Sequence, residues 1–81
     1  PFNSRTMISI YLSNAAVVEL WICDLEGNNV KRLIDGNRLK GDIAIYWDGT
    51  NNRGQDVASG IYFYILRVNE VSNLGKMIII K

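Results

Sequence analysis

Apolar side chains along this chain return at every second residue, in short runs, and nowhere at the three-to-four-residue spacing of an amphipathic helix. A period of two is the signature of a pleated strand, whose successive side chains point to opposite faces, so the sequence predicts an all-β fold. From Thr6 to Leu12, the residues Thr6, Ile8, Ile10 and Leu12 share one face while Met7, Ser9 and Tyr11 share the other. Asn14 and Ala15 interrupt the run. Val17 to Asp24 resumes it, with Val18, Leu20 and Ile22 turned inward and Glu19, Trp21 and Cys23 turned outward or toward a partner surface.

Leu25-Glu26-Gly27-Asn28-Asn29 then reads as a hairpin turn, Gly27 supplying the positive φ of a tight reversal. Val30 to Ile34 leaves as a third strand. Asp35-Gly36-Asn37 reads as a second reversal, and Ile43, Ile45 and Trp47 alternate with Ala44 and Tyr46 in a fourth strand. A polar loop from Asp48 to Gly60 follows, with a short edge strand around Asp56 to Ala58. Gly60 to Val68 is apolar on both faces and is expected at the centre of a sheet. Asn69 to Leu74 is read as a turn, and Gly75 to Lys81 as the closing strand.

With 81 residues there is one core, so residues 1–81 are read as a single domain. Short strands separated by turn signals every eight to twelve residues favour an antiparallel two-sheet immunoglobulin-like sandwich of six to seven strands, with a barrel as the alternative. Cys23 is the sole cysteine, so the immunoglobulin disulfide is absent. The chain begins at Pro1 without an initiator methionine and is expected to be a piece of a longer polypeptide.

Several function classes fall away on composition. Net charge is +1 with Lys31-Arg32 the only adjacent basic pair, which gives no basic surface for nucleic acid. No apolar run approaches the ~20 residues that cross a bilayer as a helix. There is no histidine, which removes the usual zinc sets and the common serine triad. Neither a cofactor nor a metal is expected, and no residue is assigned a catalytic role. Asp48 and Asp56 resemble a glycosidase pair only in type, since nothing in the sequence desolvates them. Asp48, Asn51, Asn52 and Asp56 could offer oxygens to calcium, but Asn, Asp and Gly are also what turns use.

The ordered string Val18-x-Leu20-x-Ile22-x-Asp24-Leu25-x-Gly27, Val30-x-x-Leu33, Gly41, Trp47-Asp48-Gly49, Gly54, Ser59-Gly60-x-Tyr62-x-Tyr64 and Lys76-Met77, preceded by Pro1-Phe2-Asn3, carries a family likeness over essentially the whole chain. It resembles the immunoglobulin-like domain of flagellar hook-capping proteins of the FlgD type and the similar C-terminal sorting domains of type IX secretion cargo. Ser4, Cys23, Asn28 and Asn51 depart from the usual pattern. The resemblance implies a non-enzymatic domain, the C-terminal piece of a larger exported bacterial protein with upstream domains in the same polypeptide, secreted or at the cell surface, that serves sorting or anchoring. Its alternatives are an assembly domain of an extracellular appendage and an accessory carbohydrate-binding module.

Its partners would be proteins: a secretion or surface-attachment machinery, or copies of itself. Trp47, Asp48, Gly49, Gly54, Ser59, Gly60 and Tyr62 are read as a structural motif, with Trp47 a core anchor, because it continues the inward phase of Ile43 and Ile45. The expected partner surface is Trp21 with the terminal strand Lys76, Met77, Ile78, Ile79, Ile80 and Lys81. An apolar strand at a sheet edge offers backbone groups that another strand can pair with.

Overall fold

The structure, a computed structural model, describes residues 5–80; the Pro1-Phe2-Asn3 segment and Lys81 lie outside the described residues. Four antiparallel strands account for the described fold: β1 (Thr6–Asp24), β2 (Asn29–Trp47), β3 (Gly60–Val68) and β4 (Val71–Ile79). They form one sheet in the order β2-β1-β3-β4. The expected six to seven strands in two sheets are therefore found as four strands in one, because pairing runs through two positions where the sequence signals a break.

The first is Asn14-Ala15. Thr6 to Leu12 pairs with Gly41 to Trp47, pairing slips between Leu12 and Ala16, and the same strand then pairs onward from Ala16 with Leu39. The second is Asp35-Gly36-Asn37, which is a bulge inside β2 and not a reversal: Val18 pairs with Asn37 and Glu19 with Asp35, leaving Gly36 unpaired at φ 79°. One extra residue shifts the side-chain phase of a strand by one. The buried side of β2 accordingly changes from Ile34 to the odd-numbered Leu39, Ile43, Ile45 and Trp47.

These irregularities bend the sheet back on itself. Nineteen residues in a straight strand would span roughly 60 Å, whereas the longest dimension of the molecule is 38 Å. Trp47, paired with Thr6 at one end of β1, touches Tyr62, paired with Asp24 at the other end. Only a folded sheet brings the two ends together. The arm made of Thr6–Leu12 and Gly41–Trp47 thus covers the inner face of the remainder, and Ile8 and Trp47 share one core with Val18, Leu20, Ile22, Ile34, Tyr62, Met77 and Ile79. Val18, Leu20 and Ile22 are fully buried, at the positions the alternation turns inward.

The turn between β3 and β4 is shorter than the expected Asn69 to Leu74. It contains Asn69 and Glu70 alone, both with positive φ (45° and 72°), the backbone of a type I′ two-residue hairpin. Asn69 is tied to β1 twice: its N–H donates to the Val17 carbonyl at 3.0 Å, and its Oδ1 accepts from the Val17 N–H at 2.9 Å. β4 then runs from Val71 without a bulge.

Candidate functional site

The Trp47-Asp48-Gly49 motif opens the loop that joins β2 to β3. Trp47 is 1% exposed, and its indole Nε1–H donates to the Thr50 carbonyl at 2.8 Å. A ring buried to that degree cannot stack on a sugar, so Trp47 lends no support to the carbohydrate-binding alternative. Tyr62 packs edge-on against it, ring centroids 5.5 Å apart, and its hydroxyl donates to the Ala58 carbonyl four residues upstream at 2.7 Å. A tyrosine reaching back to backbone in this way fixes a corner in β-sandwich domains. Ser59 and Gly60 lie between the two ends of that bond.

The polar atoms of the loop are occupied in holding it. Asp48 Oδ1 accepts from the Thr50 hydroxyl at 2.6 Å and the Thr50 N–H at 3.1 Å, and these bonds, helped by the charge of Lys31, hold its carboxyl below the ordinary value. Asn51 Oδ1 accepts from the N–H groups of Arg53 and Gln55, and the Gly54 N–H donates to the Asn51 carbonyl. Thr50 and Asp56 form a single bridge, the observed form of the expected short edge strand. Asp48 Oδ1 and Asn51 Oδ1 are thus taken up in bracing the loop, and no group of three His, Cys, Asp or Glu among the described residues is placed to hold a metal.

The loop also covers an edge. The Asn52 N–H donates to the Val30 carbonyl at 2.9 Å, Asn52 Oδ1 accepts from the Arg32 N–H at 3.0 Å, and Lys31 Nζ donates to Thr50 Oγ1 and to the Asn51 carbonyl. The Val30 carbonyl and the Arg32 N–H on the outer side of β2 are thus satisfied by the loop.

The outer face of the sheet is polar on one side and apolar on the other. Over β2 and β1, Glu19 lies 3.6 Å from Arg32 and 3.8 Å from Arg67, and the Arg32 guanidinium lies over the Trp21 ring at 5.0 Å. Trp21 is consequently half-buried, covered by a neighbouring strand's side chain. Cys23 beside it is buried, and burial followed by the negative charge of Asp24 pushes its thiol above the ordinary value. Across β3 and β4 the face changes character: Trp21 pairs with Ile65 and Ile65 with Leu74, Cys23 with Phe63 and Phe63 with Lys76, and Ile61 with Ile78. Leu74, Ile78 and Ile80 are 68%, 66% and 76% exposed.

β4 itself divides its side chains. Met77 and Ile79 are buried in the core, whereas Lys76, Ile78 and Ile80 are exposed on the outer face, so the expected partner segment is half core and half surface. Gly75 has a packing role that the sequence alone does not reveal. A Cβ placed there would fall within the ring of its cross-strand partner Tyr64, against Cε2, Cζ and Oη. Only glycine leaves room for that ring.

A shallow depression of about 450 Å³ on the arm, bordered by Ser9, Tyr11, Asp42 and Ala44, brings no catalytic pair together. None of the described residues forms a helix long and apolar enough to cross a membrane.

A folded antiparallel sheet with a tyrosine corner, a filled core and a self-satisfied loop defines a small immunoglobulin-like β module. Residues 2–72 match the family model of the FlgD Ig-like domain, and the chain belongs to that family. Two crystal structures of truncated FlgD from the human pathogen Helicobacter pylori, one of them from strain 26695, are similar in fold, each with 26% sequence identity and TM-scores of 0.64 and 0.63. The likeness covers 94% of this chain and 60% of each of those chains, so this chain spans less than two thirds of them. No curated protein matches the chain. These matches support the hook-capping side of the sequence resemblance and lend none to the type IX sorting side.

Proposed function

We propose that this domain is a structural and assembly module of an extracellular bacterial appendage, of the flagellar hook-capping kind, acting through protein–protein contacts. Membership of the FlgD Ig-like family over residues 2–72 carries this reading, since the family is structural and non-enzymatic. Two features of the chain support it. The loop that holds its most concentrated polar groups uses them to brace β2, and its remaining reactive group, the Cys23 thiol, is buried. What the domain offers to other molecules is an apolar outer surface beside a strand edge, which suits a protein partner. On this reading residues 1–81 form one non-catalytic domain of a longer exported polypeptide that works outside the cytoplasm, without a cofactor.

Deleting these 81 residues from the parent protein in its own bacterium tests the proposal. Export of the shortened protein should continue while the appendage, seen by electron microscopy, is truncated or missing. Intact appendages, or a protein retained inside the cell, would refute an assembly role, and the second outcome would restore sorting as the function.

A further inference from the structure

The two lateral edges of this sheet are treated differently. Over residues 29–41 the β2 edge is bulged and braced: pairing of β1 with β2 slips at four places there, and Asn52 and Lys31 tie that part of the edge to the loop, whereas residues 41–47 belong to the arm that folds over the core. β4 has neither device. Its nine pairs with β3 run in unbroken register from Gly60–Ile79 to Val68–Val71, it contains no proline, and its one charged residue is Lys76. Among the described residues no element pairs with its other side. Natural sheets blunt such edges with charges, prolines, bulges or covering loops, and a long, flat, apolar edge is a template for another strand.

The hairpin turn determines which groups point outward. A two-residue type I′ turn makes Val68 and Val71 a hydrogen-bonded pair, and pairs of this kind alternate along an antiparallel ladder. Leu66–Asn73, Tyr64–Gly75, Tyr62–Met77 and Gly60–Ile79 follow as hydrogen-bonded pairs. The N–H and C=O groups of Ser72, Leu74, Lys76 and Ile78 therefore face the open edge.

We infer that β4 pairs antiparallel with β4 of a second copy of this chain, about a twofold axis passing beside Gly75. Self-pairing is favoured because the strand is complementary to itself in one register. With Gly75 facing its copy, Ser72 pairs with Ile78 and Leu74 with Lys76, each twice, so all four outward residues are engaged in about eight backbone hydrogen bonds. Lys76 then lies beside the exposed Leu74 of the other copy, its aliphatic stem on an apolar neighbour and its ammonium in water. A shift of one step toward the C-terminus would set Lys76 against Lys76, and like charges directly opposite are unfavourable. The result is one eight-stranded sheet whose outer apolar strips, from Ile61, Ile65, Leu74 and Ile78, meet at the axis.

An edge contact of this size falls at the low end of specific interfaces, so the dimer should form between micromolar and millimolar concentration. Sedimentation of the 81-residue chain from about 10 μM to about 1 mM should show a monomer–dimer equilibrium. Amide exchange followed by NMR should show Ser72, Leu74, Lys76 and Ile78 becoming protected as concentration rises, while Asn73, Gly75 and Met77 are protected throughout.

Two substitutions of one residue set register against mere stickiness. Leu74→Glu puts a carboxylate opposite each Lys76, and Leu74→Lys puts a second ammonium there. The glutamate variant should dimerise at least roughly tenfold more tightly than the lysine variant. Leu74→Pro, which removes an outward N–H and no bond within the monomer, should leave unfolding at low concentration unchanged and abolish the dimer. A monomer at the highest concentration, a dimer whose four amides stay unprotected, or equal weakening by the two charged variants would each overturn the inference. None of these outcomes bears on the deletion test above, because the pairing rests on the sheet edge and not on the flagellar reading.

Discussion

Replacing Gly75 by alanine puts a methyl group where the Tyr64 ring now lies, and the consequence can be worked out from the register. Tyr64 is half-buried and packs against the core cluster, so its ring has to swing outward, giving up contact with that cluster. Overpacking of this type costs about 1–3 kcal/mol. Against it stands the gain from replacing a strand glycine, roughly 0.5–1 kcal/mol from the lower entropy of the unfolded chain. The net loss should be about 1–2 kcal/mol, which in a domain of this size lowers Tm by about 5–15 °C.

Urea titration followed by tryptophan fluorescence at low micromolar concentration reads the change without interference from self-pairing. The decisive comparison is a double-mutant cycle. In a Tyr64→Val background the ring is gone, and the same Gly75→Ala substitution should stabilise by about 0.5 kcal/mol. The effect of one methyl group thus reverses sign with the residue across the strand. Additive single and double mutants, or a Gly75→Ala variant as stable as the parent, would refute the claim that the ring makes glycine necessary.

Trp47→Ala should destabilise by about 3–5 kcal/mol, because it empties a fully packed site and strands the Thr50 carbonyl, and a change near zero in the same titration would place the ring outside the core. Glu70→Gly should stabilise the fold by up to about 1 kcal/mol, seen as a higher urea midpoint, since glutamate at φ 72° carries a left-handed strain that glycine lacks. Asp24 accepts from the N–H groups of Asn28 and Glu26, and Asp48 from Thr50, so both carboxyls lie below their ordinary value of 3.8. A depressed carboxyl stabilises the fold above its unfolded pKa, and that contribution is lost as pH falls through the folded value. Stability should therefore be level from neutral pH down to about 4 and decline below it, with Asp24→Asn and Asp48→Asn each flattening the decline in acid-titration calorimetry.

Local alternation was enough to locate what the inner face buries. Val18, Leu20, Ile22 and Trp47 lie where a period of two turns them, because that period belongs to each strand and needs no knowledge of its neighbours. Strand number was harder to read, since Asp35-Gly36-Asn37 has the composition of a reversal and serves as a bulge. The same positive φ at Gly36 suits both, and only the pairing of Glu19 with Asp35 beyond it decides between them. The start of β4 was hidden for another reason. Val71-Ser72-Asn73 reaches past the core, so backbone pairing to Val68, Arg67 and Leu66 makes it a strand without any apolar pattern to announce it. The Gly75–Tyr64 contact depends on the same non-local register and leaves no trace in the order of residues.

The distribution of charge over the outer face ties these details to the proposed pairing. Glu19, Arg32, Asp35 and Arg67 gather over β2, β1 and the near end of β3, in ion pairs of 3.6–3.8 Å that are too exposed to add more than about 1 kcal/mol each. Their effect is better understood as keeping water over that half of the sheet. Toward β4 the same face carries Ile61, Leu74 and Ile78, and the ladder beneath it stays straight because Gly75 accepts the Tyr64 ring where a larger residue would push the strands apart. Polarity, bulges and the bracing loop protect the first half of the β2 edge, while an unbroken ladder, apolar side chains and unpaired backbone coincide at β4. A partner strand there meets an unbroken row of open hydrogen-bonding groups and an apolar face whose desolvation costs little.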